Sequence, residues 1–207
     1  MLAEKNIMAT PPSSSNLTDL RTSLGKLQAL SDKSWDSVSP LLSYQKFSRG
    51  ECIIEAGQAV SQLYFLTSGL ARFYYLHSNG KEFNKSFAAT GNVVSSITSL
   101  TTGQASAFYV QALANCECLC LSYKSMLLLA EQHKDWNTLT IRLLEQLSIK
   151  KEAREADFLL LTATERYEKF LRECAPIVDQ IPNYHIASYL GISEVALSRI
   201  RNRLRLT

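Results

Sequence analysis

A chain of 207 residues, 46% of them hydrophobic and 20% charged, is long and apolar enough to bury one large core or two modest ones. No stretch of about 18 apolar residues suggests a membrane span, and the N-terminus lacks the basic region and long apolar core of a signal peptide. The formal net charge of +3 is too small to imply a nucleic-acid partner by itself, but Arg199 to Thr207 contribute +4 of side-chain charge.

Residues 1–19 contain Pro11, Pro12 and a run of serines and have little to bury, so they are expected to be disordered. From Leu20 to Leu42 a weak helical pattern runs through Leu24, Leu27, Leu30, Trp35 and Val38, limited by Pro40. Between Ser43 and Tyr123 the texture changes to short β-branched and aromatic runs, such as Leu63-Tyr64-Phe65-Leu66 and Phe73-Tyr74-Tyr75. Glycines at 57, 69, 80, 91 and 103 punctuate them, the cadence of an antiparallel sandwich or barrel. Asn79-Gly80 is a hairpin signal, since both residues tolerate the backbone angles of a tight primed turn.

After Tyr123 the period becomes helical. One segment begins at Met126, and a longer one spans residues 136–161 with neither glycine nor proline. Its apolar line through Leu139, Leu143 and Leu147 needs a surface to lie on: its own β domain, the same helix of a second subunit, or both, the last being preferred. Thr162 with Glu165 forms a capping box for the next helix. That helix carries Tyr167, Phe170, Leu171 and Cys174 on one stripe and ends before Pro176.

The stretch from Ile181 to Leu204 carries the functional signal. Ile186, Ala187 and Leu190 share one helical face, and Leu197 with Ile200 share another. Gly191 between them suits the positive φ of a sharp turn, Ser193 suits a cap, and Ile192 with Leu197 suits a hydrophobic staple. These are the requirements of a helix-turn-helix. With Leu197 and Ile200 inward, Glu194, Val195, Ser198, Arg199 and Asn202 face outward as candidates to read base edges, and Arg201, Arg203 and Arg205 are candidates for phosphate. The alternative is a solvated basic helix whose arginines complement its dipole. That accounts for one or two arginines but not for the glycine, the cap and the apolar spacing.

In this order, the β region, long helix and helix-turn-helix resemble the Crp/Fnr family of bacterial transcription regulators. The markers are Gly50-Glu51 with Ile53-Ile54-x-x-Gly57, Leu63-Tyr64-Phe65-Leu66-x-x-Gly69, Gly80-Lys81-Glu82, Cys116-Glu117 before Ser122-Tyr123, Ile186-Ala187-x-x-Leu190-Gly191-Ile192-Ser193, and Leu197-Ser198-Arg199-Ile200. The resemblance implies an α+β protein with an N-terminal double-stranded β-helix (jelly-roll) barrel. Residues 20–135 would form this cyclic-nucleotide-binding-like sensor domain, 136–161 a connecting and dimerisation helix, and 162–207 a helix-turn-helix domain, which departs from many members in that no extended wing is expected after the recognition helix. It further implies a cytoplasmic homodimer that binds double-stranded DNA at promoters, with RNA polymerase as a further partner.

The effector pocket departs from the family. In members that bind cyclic nucleotides, a Gly-Glu pair and an Arg-Ser/Thr pair clamp the ligand, and the long helix meets the nucleobase. The corresponding positions are read here as Gly91 with Asn92, Ser106 with Ala107, and Lys151 with Glu152. Without the arginine, a buried phosphate lacks its bidentate cation, so cyclic AMP is not expected as effector. No cysteine precedes Cys52, which removes the cluster ligands of the iron-sulfur members, and His77 beside a turn is a poor heme ligand. Another effector, or a barrel that senses nothing and leaves a constitutive regulator or a scaffold, fits the chain. A cupin-type enzyme would need several metal-binding histidines in the β region, where only His77 occurs.

Cys116, Cys118 and Cys120 alternate along a predicted strand and so share one face. Core packing is favoured over a thiolate metal or redox site, because their spacing is not that of a typical zinc site. Cys52 and Cys174 complete the set, and no disulfide framework emerges.

Overall fold

The computed structural model describes residues 11–206. Of the segment expected to be disordered, residues 1–10 lie outside the described residues, whereas Ser14–Asp19 form the first turns of a helix, α1 (Ser14–Gly25). Ser13 and Asn16 close a capping box at its start, and Leu20 and Leu24 are buried beneath it. A second helix, α2 (Asp32–Val38), follows.

The strands are β1 (Ser43–Phe47), β2 (Cys52–Ile54), β3 (Gln62–Ser68), β4 (Leu70–Leu76), β5 (Glu82–Ala89), β6 (Val93–Val94), β7 (Tyr109–Ala112) and β8 (Cys116–Ser122). They do not close into the jelly-roll barrel expected from the sequence. They form two separate four-stranded antiparallel sheets, ordered β1-β8-β3-β6 and β2-β7-β4-β5. The shortest strands, β2 and β6, each hold one edge of a sheet, and a strand of two or three residues offers few backbone groups with which to bridge to the other sheet. The α+β class holds, with an open two-sheet sandwich in place of a barrel.

Three apolar layers follow from the strand alternation. Between the sheets lie Ile53, Leu66, Phe73, Val94, Phe108 and Val110, together with Cys116, Cys118 and Cys120. The three thiols thus occupy the core face, and burial raises the pKa of each. The outer face of the first sheet, with Leu63, Phe65, Leu119 and Leu121, is covered by α1, α2, α4 (Tyr123–Gln132) and the start of α5 (Lys134–Leu160). The outer face of the second sheet, with Leu70, Phe87 and Ala89, is covered by α6 (Ala163–Glu173), α7 (Asn183–Leu190) and α8 (Glu194–Arg203).

The long helix is anchored at its start by Asp135. Its carboxylate accepts from the Ser31 N–H at 2.8 Å, the Ser31 hydroxyl at 2.9 Å and the Ser34 hydroxyl at 2.6 Å. Trp136 is buried beside it and donates its indole N–H to the Ser34 carbonyl at 3.2 Å. Along α5, Leu139 is buried and Leu143 packs on the same cluster, whereas Ile141, Leu144 and Ile149 are exposed. The helix ends where Thr162 and Glu165 form the expected capping box. Among the described residues no helix is long and apolar enough to cross a membrane.

Candidate nucleic-acid interface

The turn between α7 and α8 is built as its residues require. Gly191 adopts φ 71° and donates to the Ala187 and Ser188 carbonyls, while the Ile192 N–H reaches the Ala187 carbonyl at 3.0 Å. A Cβ on Gly191 would lie 2.9 Å from Cε1 of Phe158, so the end of α5 rests directly on this turn. Ser193 caps α8 by accepting from the Ala196 N–H at 3.1 Å. Leu197 and Ile200 are buried against Tyr167, Phe170 and Ile186, each contributing about 1.5–3 kcal/mol of apolar burial.

That burial fixes what α8 presents. Glu194, Val195, Ser198, Arg199 and Asn202 are all exposed, Val195 at 62%. Arg199 makes no hydrogen bond or ion pair with any described residue, and its donors remain available. The three arginines expected to meet phosphate differ among themselves. Arg201 is turned inward, donating to the Tyr167 hydroxyl at 3.0 Å and the Leu206 carbonyl at 2.9 Å. Arg203 is exposed and reaches the Thr164 hydroxyl at 3.3 Å. Arg205 is exposed at φ 56°, a left-handed cap that lets the Leu206 N–H close on the Arg201 carbonyl at 3.0 Å. No strand follows α8 among the described residues.

A polar contact that sequence reasoning missed seats this unit on the sandwich. Arg72 on β4 is only 4% exposed, yet every side of its guanidinium is engaged. Its Nε and Nη2 donate to Gln111 Oε1 at 3.0 and 2.7 Å, and its Nη1 donates to Glu82 Oε2 at 2.5 Å. The same Nη1 lies 3.3 Å from Nδ1 of His185 on α7, and Tyr74 stacks beneath the guanidinium at 3.9 Å. Asn84 on β5 donates to the His185 carbonyl and to its Nδ1, both at 3.1 Å. Ser188 completes the seam, accepting from the Asn84 N–H at 2.9 Å and donating to the Glu82 carbonyl at 3.0 Å. Burial, with the adjacent Arg72 charge, pushes His185 down to about 4, so the imidazole is neutral. One signal was available: Arg72 is a lone charge inside the apolar run Leu70 to Leu76.

The expected effector residues are not assembled into one clamp. Gly91 and Asn92 form the turn between β5 and β6, where Gly91 faces Ser23 of α1 and Asn92 Oδ1 accepts from the Ala89 N–H. The short helix α3 (Ile97–Thr102) begins only after β6, so the residues leading into it are Ser95 and Ser96. Ser106 is buried and bonded to the Phe108 carbonyl at 2.9 Å, whereas Ala107 is exposed. No hydrogen bond links the two pairs. Residues 97–107 contain no charged side chain that could face a phosphate. Lys151 and Glu152 are exposed on α5.

Comparison with known proteins agrees with this architecture. Residues 44–133 match the family model of the cyclic nucleotide-binding domain. FixK2 from Bradyrhizobium japonicum superposes at a TM-score of 0.69 and 20% identity, over 80% of this chain and 85% of that one. The c-di-GMP-responsive global regulator CLP of Xanthomonas campestris gives 0.68 and 14%, over 85% and 92%. The chain has the fold of the Crp/Fnr regulators. A protein of Eubacterium rectale assigned to the Crp/Fnr family gives 0.66 and 16%, over 86% and 84%. No curated protein sequence matches the chain. The matched residues 44–133 span the two-sheet sandwich and α4, and the helix-turn-helix is formed by α7 and α8.

Proposed function

We propose that this chain is a sequence-specific, DNA-binding transcription regulator that acts as a homodimer and does not respond to cyclic AMP. The reading rests on one observation above all: α8 is held by its buried Leu197 and Ile200 while Val195, Ser198 and Arg199 stand free of the protein. Val195 suits contact with a thymine methyl, and Arg199 suits the O6 and N7 acceptors of guanine. Arg203 and Arg205 supply phosphate contacts, while Arg201 holds α8 to α6.

Dimerisation is assigned to α5. Ile141, Leu144 and Ile149 form an apolar edge on the side away from Leu139 and Leu143, and a second copy of the helix would cover it. Two recognition helices would then enter successive major grooves about 34 Å apart on a pseudo-palindromic site. The residues around 97–107 offer no cation for a cyclic phosphate, which supports a different effector.

Selection of bound fragments from random duplex DNA, followed by gel-shift titration against a scrambled competitor, tests the proposal. The expected result is an enriched inverted repeat bound by two subunits. Equal affinity for selected and scrambled DNA would refute it. Calorimetry with cyclic AMP should give no binding in the micromolar range.

A further inference from the structure

Helix α5 is packed on one side only, and its free side is not a plain apolar stripe. At 3.6 residues per turn, Ile141, Ser148, Glu152 and Leu159 fall within roughly 40° of one line, opposite Leu139 and Leu143. All four are exposed, as are Leu144, Lys151 and Glu155 on one flank and Glu145 and Ile149 on the other. The charges that face the protein along the same stretch are in use. Arg154 donates to the Asn84 and Tyr189 carbonyls, and Asp157 accepts from Lys169 at 2.8 Å. Those that face outward are idle: Lys151, Glu152 and Glu155 make no side-chain hydrogen bond or ion pair among the described residues. Lys151 and Glu155 stand one turn apart, the spacing at which such pairs form within a helix, yet they are not paired.

Solvated charges are the ordinary state of a free helix face, but these lie between two apolar ends. Ile141 and Leu144 precede them, and Leu159 and Leu160, exposed at 76% and 79%, follow. An occupant that covers both ends also covers the charged turn between them. Two copies of α5 must run parallel if both recognition helices are to meet one duplex. About such a two-fold axis, one flank of each helix lies along the opposite flank of its partner. Lys151 of each subunit then comes alongside Glu152 of the other, and Leu144 alongside Ile149. The face is thus complementary in charge to a second copy of itself. A helix without the acidic residue would cover Lys151 and leave it no counter-charge.

We propose that reciprocal Lys151–Glu152 ion pairs between two subunits set the register of the α5 pair and select a copy of this same chain as its partner. The proposal rests on the reading of α5 as the dimer helix and adds to it the residues that choose the partner. Polar residues on such a contact line specify register and partner at some cost in stability. The apolar ends supply the grip, and the charged turn supplies the choice.

Sedimentation equilibrium of the full chain tests this. Lys151→Glu and Glu152→Lys change exposed side chains that the single subunit does not use, and each should weaken the homodimer about tenfold or more. The factor is large because the two-fold axis turns one substitution into two lost pairs and two repulsions. Mixed together, the two variants should associate with each other about as tightly as the unaltered chain does with itself. A chain carrying both substitutions should likewise recover the homodimer, and neither rescue can arise from a folding defect. Single variants that dimerise like the unaltered chain, or a mixture whose components stay apart, would overturn the proposal. Ile141→Asp separates this outcome from failure of the reading beneath it. A dimer broken by Ile141→Asp but indifferent to both charge reversals keeps α5 as the dimer helix and loses the ion pairs. A chain that is monomeric at every concentration, or a dimer indifferent to all three substitutions, loses both.

Discussion

Asn84 Nδ2 lies 3.1 Å from His185 Nδ1, so the imidazole accepts this bond and joins β5 to α7 as a neutral ring. Arg72 Nη1 approaches the same nitrogen at 3.3 Å and adds a second donor and a full positive charge. A proton on Nδ1 would displace both. The folded value of about 4 lies below the 6.5 of a free histidine, so on acidification the unfolded chain takes up the proton first. Stability is therefore complete above about pH 6.5 and falls as the pH drops toward 4, by at most about 3 kcal/mol from this residue. Urea unfolding at several pH values should show that slope, and His185→Gln should flatten it. His185→Ala should also cost about 1–3 kcal/mol at neutral pH by leaving buried donors unpaired.

Gly191→Ala should weaken both fold and binding. The left-handed backbone at φ 71° costs an L-residue about 1–2 kcal/mol, and the added methyl meets the Phe158 ring at 2.9 Å. Thermal unfolding should report the first effect. A reduced affinity for the selected duplex, beyond what partial unfolding explains, should report the second.

The arginines of α8 should separate by experiment. Arg199→Ala should cost about 1–3 kcal/mol on the selected site and relax preference at one base pair. Arg203→Ala should weaken all duplexes alike and lower the slope of log affinity against log salt by about 1. Arg201→Ala should leave that slope unchanged and lower the unfolding temperature, because its guanidinium is bonded to Tyr167 and Leu206. Equal salt slopes for the three variants would contradict this division.

Gly69→Ala should fail to fold. A Cβ there would stand 2.4 Å from the Asn115 carbonyl oxygen and 2.8 Å from the Cys116 Cα, both backbone atoms that cannot swing away, and φ is 104°. Recovery from the soluble fraction with an unchanged circular dichroism spectrum would refute the expectation.

The helix-turn-helix was legible in the sequence because its determinants are local. Gly191, Ser193 and Leu197 fall within one short stretch, and each requirement is stereochemical. The strands were legible from their β-branched and aromatic runs, but whether the sheets close depends on which edges meet, and a pattern of alternation contains no such information. Strand β6, between the Gly91-Asn92 turn and α3, has only two residues and was too short to leave a signal in the sequence. The Arg72–His185 contact joins residues more than a hundred positions apart. It does not follow from periodicity.

Arg154 donates to carbonyls on both sides of the seam, and Phe158, one turn further along α5, lies against Gly191. A twist of the long helix would consequently strip both bonds in one movement and unseat the bend in front of α8. Helix α8 and the bend before it are thereby tied to the long helix at two points one turn apart.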